Sequence, residues 1–374
     1  MVAAMFGFRK SAAAGLVSTI RNLSMNRLLA LVLVGVAMVM IVSDAAKAAE
    51  ETRLQGAGAT FPAPLYERWV AEFNKIEPSI KVSYQSIGSG GGIKAITDKT
   101  VAFGASDAPL SKKELEKMGD AANVLEFPAT AGGVVPAYNL PDVKGAVNFT
   151  GEVLAKIFMG KITKWNDPAL VAINKDVKLP DLAITPAYRT DSSGTTYVWT
   201  SYLATQSDDY KGSIGAGKSV QWPLGQGGKG NEGVAAVVQQ TIGSIGYIEA
   251  VYAHANKMNA GAVQNKAGEF VTAGPNSIGA ATAAALPLMK DGKLTADLWN
   301  LDGNGVYPVS AFTYIIVYRD MNNLKTAGEA EALKKFFTWA LTDGQEISAS
   351  MNYAPLSAEV RTSALKEISS LSKQ

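Results

Sequence analysis

Between residues 50 and 341 the chain alternates short apolar runs of strand length with stretches whose apolar residues recur every three or four positions. The strand-like runs are 80–84, 101–104, 133–138, 184–187, 245–248 and 313–317. Helices are predicted over 62–74, where Leu65, Trp69 and Phe73 repeat every four residues, and over 329–341, where Leu333, Phe336, Phe337 and Ala340 form one stripe. Apolar residues at that spacing share a helix face, and short apolar runs bounded by turn residues suit strands. The alternation predicts an α/β fold with mostly parallel sheets. Such sheets hold ligands where a strand ends and a helix begins.

The first 49 residues stand apart from this pattern. Residues 28–42 are a fifteen-residue apolar stretch, preceded by Arg9, Lys10, Arg21 and Arg27 and followed by Ala46-Lys47-Ala48. A charged, an apolar and a small-x-small segment in that order predict a secretory signal peptide over 1–49, cleaved near Ala48 or Ala49. Fifteen residues are short of the roughly 20 that a spanning helix needs. Met25 is an alternative start, because the chain before it adds little to the signal.

Setting that segment aside changes the charge. Five of the 35 basic residues and one of the 33 acidic ones lie in 1–48, which leaves 30 against 32 and turns the formal +2 into −2. The basic balance belongs to the targeting segment and gives no support for nucleic-acid binding. Cysteine is absent, so disulfides, thiolate chemistry and a lipidated cysteine anchor are excluded. The remaining 326 or so residues are long for one core and comfortable for two domains. Breaks in the pattern near 128–133 and 307–310 predict one lobe from 50–131 and 310–374 and a second, inserted lobe over 132–309, with two chain crossings as a hinge.

Three stretches place small hydroxyl residues beside glycine at predicted helix starts: Gly56-Ala57-Gly58-Ala59-Thr60-Phe61-Pro62, Ile87-Gly88-Ser89-Gly90-Gly91-Gly92 and Arg189-Thr190-Asp191-Ser192-Ser193-Gly194-Thr195. Unpaired N–H groups and the positive dipole end make each a candidate anion seat. Catalytic chemistry is poorly supplied. His254 is the only histidine, which rules out a histidine-rich metal site, and no closely spaced carboxylate cluster suits a hard cation. No serine lies in a nucleophile elbow. Gly212-Ser213-Ile214-Gly215-Ala216-Gly217-Lys218-Ser219 matches the phosphate-loop pattern by letter. The polar residues before it and Pro223 after it deny that motif its strand and helix, so a flexible surface loop is expected. These features point to a protein that holds an oxyanion rather than transforming it.

Six ordered motifs carry a resemblance: GAGATFPAPLY (56–66), IGSGGG (87–92), FGASDAPLS (103–111), GKITKWNDP (160–168), RTDSSGTTYVWTSYL (189–203) and WPLGQGGKGNEGVAA (222–236). From about Leu54 onward the chain resembles the bacterial periplasmic phosphate-binding protein family PstS. The resemblance implies a two-lobed periplasmic-binding-protein architecture that closes over inorganic phosphate in an interlobe cleft. It further implies delivery to an inner-membrane ABC permease–ATPase complex, with no catalysis, cofactor, metal or nucleic acid, by a monomer. By the same resemblance Thr60, Phe61, Ser89, Asp107, Arg189, Ser193, Gly194 and Thr195 contact phosphate, and Asp191 pairs with Arg189. Ser192 departs from the family pattern, which often has glycine there. A receptor for another tetrahedral oxyanion and a secreted phosphoryl-transfer enzyme stay open as alternatives.

The chemistry of these residues suits the task. Thr60, Ser89, Ser193 and Thr195 each offer one hydroxyl hydrogen, Phe61 an N–H, and Arg189 a planar fork. Asp107 is the odd one, since a carboxylate repels a bound anion unless the ligand still carries a proton to donate. Such an acceptor disfavours sulfate and tolerates arsenate.

Overall fold

A computed structural model describes residues 51–289 and 293–373. The expected signal segment lies outside the described residues. Among those described, no helix is long and apolar enough to cross a membrane.

Eight strands form a continuous path: β1 (Thr52–Gly58), β2 (Ile80–Ser86), β3 (Phe103–Ser106), β4 (Val124–Tyr138), β5 (Thr185–Arg189), β6 (Gln226–Gly228), β7 (Ser244–Glu249) and β8 (Ser310–Tyr318). Their spatial order is β2-β1-β3-β8-β4-β7-β5-β6, and Asn259–Ala260 pairs with β4 off this path. The parallel pairing expected from strand–helix alternation holds on both flanks, β2-β1-β3 and β7-β5-β6. The two long central strands make the sheet mixed: β8 is antiparallel to both β3 and β4, and β4 is antiparallel to β7.

The break expected at 128–133 is no loop. Those residues lie inside β4, whose residues from Val124 to Gly133 pair with β8 and whose residues from Val134 to Tyr138 pair with β7. Pro128 and the small residues after it read as a lobe boundary in sequence. In the sheet, a side chain at Gly132 would sit 2.7 Å from the Phe61 ring, so the absence of one lets that ring pack.

Helices cover the flanks. In α1 (Ala63–Ile76), Leu65, Trp69 and Phe73 are buried as their spacing requires, and Trp69 Nε1 donates to the Gly344 carbonyl at 2.7 Å. The other helices that matter for the site are α2 (Ser89–Thr97), α3 (Lys112–Met118), α4 (Gly194–Gln206), α5 (Asp208–Ser213), α6 (Gly230–Gln240) and α7 (Ala250–Ala255). Helix α8 (Ala327–Leu341) is capped by Thr326, whose hydroxyl accepts from the Glu329 N–H, and it buries Leu333, Phe336, Phe337 and Ala340. Phe337 meets Phe103 of β3 edge to face at 4.9 Å, so the tail of the chain packs against its first strands.

Candidate functional site

Four strand-to-helix turns converge. β1 runs into α1 through Thr60, β2 into α2 at Ser89, β5 into α4 at Gly194, and β6 into α6 at Gly230 and Asn231. Asp107 follows β3 directly. All five positions lie at carboxyl ends of parallel-paired strands, where helix N-termini and loose strand ends leave donors free.

Thr60, Phe61, Ser89, Asp107, Arg189, Ser193, Gly194 and Thr195 are all buried. Ser89 starts α2 after Gly88, whose φ of 83° lies in the left-handed region and whose Cα faces Asp191. The Ser89 hydroxyl oxygen accepts from the backbone N–H of Gly194 at 3.0 Å and of Asp107 at 3.3 Å. A side chain at Gly194 would strike Ser89 Oγ at 2.4 Å and Asp107 Oδ2 at 2.6 Å, so glycine there allows the two turns to meet. Ser193 caps α4 through its hydroxyl oxygen, which accepts from the Thr196 N–H at 3.0 Å. The Phe61 ring packs inward, tilted against Tyr353 at 6.5 Å, and does not lie over the turns as a lid. Ser192, the departure from the expected motif, accepts from the Gly90 N–H at 3.0 Å and packs on the bare Cα of Gly90.

Arg189 is fully engaged on one edge. Its Nε and Nη2 donate to the two oxygens of Asp191 at 2.8 and 2.5 Å, and Nη1 donates to Thr195 Oγ1 at 3.2 Å. A guanidinium has five N–H donors, so two remain after these bonds. Burial would raise the Asp191 carboxyl, but the Arg189 pair and the Gly230 N–H outweigh it and hold that carboxyl below its ordinary range. The pair neutralises itself, so attraction for an anion must come from oriented N–H and O–H dipoles rather than net charge.

Asp107 behaves oppositely. Its Oδ1 accepts from the Thr313 hydroxyl at 3.0 Å, and the Ser89 hydroxyl lies 3.5 Å from Oδ2. Burial pushes its carboxyl up to about 7, only partly offset by Thr313, the charge of Arg189 and Ser89. Thr313 sits at a bulge where β8 slips register against β4 between Thr313 and Tyr314.

The sequence reading did not single out Asn231, Thr313 or Tyr252. Asn231 Nδ2 donates to Thr60 Oγ1 at 2.7 Å and to Thr195 Oγ1 at 3.2 Å, joining residues that are far apart in sequence. The Tyr252 hydroxyl donates to the Thr60 carbonyl at 2.6 Å. Asn231 lay within a quoted motif, and that motif was the one available signal.

The phosphate-loop look-alike needs a correction. Its first residues belong to α5 and no strand precedes it, so that motif is not formed. Neither is it a free surface loop. The Lys218 ammonium pairs with Glu114 of α3 at 2.7 Å, and the Lys218 carbonyl accepts from the Ser193 N–H at 2.8 Å. The segment therefore braces the α4 turn against α3. His254 is exposed on α7. Among the described residues no cluster of three or more potential metal ligands occurs.

A family description, PBP superfamily domain, matches residues 44–344. The chain is 43% identical over 324 residues to the phosphate-binding protein PstS of Pasteurella multocida, covering 86% of this chain and 92% of that one. It is 44% identical over 313 residues to the phosphate-binding protein PstS of Haemophilus influenzae, covering 83% and 91%. The crystal structure of a phosphate-binding protein from Stenotrophomonas maltophilia superposes with a TM-score of 0.64 at 21% identity, covering 84% and 93%, a likeness that speaks for the fold.

Proposed function

The chain belongs to the PstS family of phosphate-binding, ABC-transporter substrate-binding proteins, and from that premise we propose that it binds inorganic phosphate at the convergence of these turns. The fold is the α/β periplasmic-binding-protein fold. Residues 50–131 with 310–374 form one lobe and 132–309 the other. The two crossings are neighbours in the sheet, Gly132 opposite Ala311, which supports a hinge made of two paired strands. Thr60, Phe61, Ser89, Asp107, Arg189, Ser193, Gly194 and Thr195 contact the anion, and Asp191 orients Arg189. The protein acts in the periplasm after loss of residues 1–49 and passes phosphate to an inner-membrane ABC permease–ATPase complex.

One observation carries this reading. A desolvated carboxylate, Asp107, shares a buried site with one charge-compensated arginine and a ring of hydroxyl and amide donors. Donors alone suit any tetrahedral oxyanion, whereas the acceptor suits one that still holds a proton. Several charge-assisted hydrogen bonds, each roughly 1.5–3 kcal/mol net, suffice for affinity in the micromolar range or tighter. Calorimetric titration of phosphate-stripped protein is expected to give one phosphate per chain, competition by arsenate, and far weaker binding of sulfate. No heat with phosphate, or equal affinity for sulfate, would overturn the proposal.

A further inference from the structure

A threonine hydroxyl can meet an anion as a donor or an acceptor, and its neighbours settle which. Asn231, the second residue of α6, is wholly buried. The orientation of its amide follows from Glu249, whose backbone N–H donates to Asn231 Oδ1 at 2.9 Å. The Nδ2 end therefore faces the two threonines and supplies one hydrogen to each, to Thr60 Oγ1 at 2.7 Å and Thr195 Oγ1 at 3.2 Å. The backbone N–H of Asn231 adds a second bond to Thr60 Oγ1 at 3.2 Å, and Arg189 Nη1 adds a second to Thr195 Oγ1 at 3.2 Å. A hydroxyl oxygen has two lone pairs and one hydrogen. Both lone pairs on each threonine are thus occupied. Among the described residues neither hydroxyl donates to a protein acceptor, so each keeps its hydrogen for what enters the site.

We infer that Asn231 is a positioning residue that fixes the Thr60 and Thr195 hydroxyls as donors and so makes that side of the site specific for unprotonated anion oxygens. The inference rests on the proposed phosphate site. A ligand proton finds no acceptor on this side and must turn toward Asp107, so the amide sets the orientation of a protonated phosphate as well as its affinity. Asn231 also reaches across the proposed lobe boundary. Thr60 belongs to one lobe, Asn231 and Thr195 to the other, and the donor set is complete only when the two are together.

The test is a thermodynamic cycle read by calorimetric titration with inorganic phosphate, at protein concentrations that keep weak binding measurable. Asn231→Ala is compared with Thr60→Val/Thr195→Val and with the three changes combined. In the wild-type background Asn231→Ala is expected to weaken phosphate about tenfold or more, because both hydroxyls regain freedom to rotate. In the valine background the same change should cost no more than about threefold, since the groups it acts through are gone. An equal cost in both backgrounds would make Asn231 a structural residue only and overturn the inference while leaving the phosphate site intact. Unchanged affinity in the valine pair would instead remove the two hydroxyls from the site, and the inference with them. Should Asn231→Ala fail to fold, Asn231→Asp runs the same cycle. Its carboxylate keeps the Glu249 bond and accepts from both hydroxyls, so its loss should be at least as large in wild type and should also shrink in the valine background; a loss that does not shrink counts against the inference.

Discussion

The two sides of the site, meeting at Gly194, differ in chemistry more than in position. On one side Arg189, Asp191, Asn231 and Thr195 form a linked set in which both Thr195 lone pairs are matched, leaving its hydroxyl hydrogen and two guanidinium N–H groups to offer. On the other, Asp107 presents a carboxylate that burial pushes up to about 7, with Thr313, the charge of Arg189 and Ser89 only partly supporting it. The first side supplies affinity without net charge. The second supplies an acceptor that can itself take a proton near neutrality. On the proposed reading, a site built from both recognises the protonation state of its ligand, which neither side could do alone.

The largest expected effect comes from breaking the donor side. Arg189→Ala removes the two remaining guanidinium donors and leaves the mostly covered Asp191 carboxylate without its cationic partner, so phosphate affinity should fall by at least about a hundredfold. Arg189→Lys should recover only part, because an ammonium cannot bridge Asp191 and Thr195 together. Titration calorimetry measures both, and unchanged affinity in the alanine variant would take Arg189 out of the site.

The acceptor side should show itself in stability. Asp107 binds its proton more tightly folded than unfolded, so its contribution is fully present below about pH 4 and is lost as pH rises through about 7. Glu126, pushed up to about 8 by burial, acts in the same direction. The phosphate-free protein should therefore melt at a lower temperature at pH 8.5 than at pH 5.5. Asp107→Asn should remove a share of that difference on the order of 2 kcal/mol, since the rest of the proton-linked stability change lies below pH 5.5. Melting curves at the two pH values check this, and a difference unaltered by Asp107→Asn would place the responsible proton elsewhere.

The smallest effect belongs to the brace between the proposed lobes. Lys218 and Glu114 are mostly covered but not central, so Lys218→Ala should weaken phosphate only about two- to threefold. Glu114→Gln should add little to it, and fully additive losses would mean that the pair does not act as one contact.

How far the sequence foretold this arrangement depends on whether a residue's partners are near it in the chain. The apolar stripes of α1 and α8 and the three hydroxyl–glycine turns were legible because spacing and turn chemistry are local. β1 was missed as a strand, since TRLQGAG offers little apolar alternation and its pairing with β2 and β3 supplies what its side chains do not. β4 was broken in the reading near 128–133, where small residues serve the Phe61 ring and the register against β8. Asn231 and Thr313 were not singled out for the same reason: each acquires its role from a residue more than 150 positions away. Lys218 was dismissed with a false motif, although its charge matters through Glu114 on a helix 104 positions earlier.

The central claim is that Asp107 accepts a proton held by the ligand, and the affinity ratio of phosphate to sulfate tests it most directly. Competitive titration at pH 8.5 and one ionic strength compares wild type with Asp107→Asn. The amide can donate to sulfate while its oxygen still accepts from phosphate, so the ratio should drop by about tenfold or more, chiefly through gained sulfate affinity. In wild type the ratio should also decline as pH falls below about 7, where a protonated Asp107 can itself donate to sulfate. A ratio that is the same in both proteins and flat with pH would contradict the account.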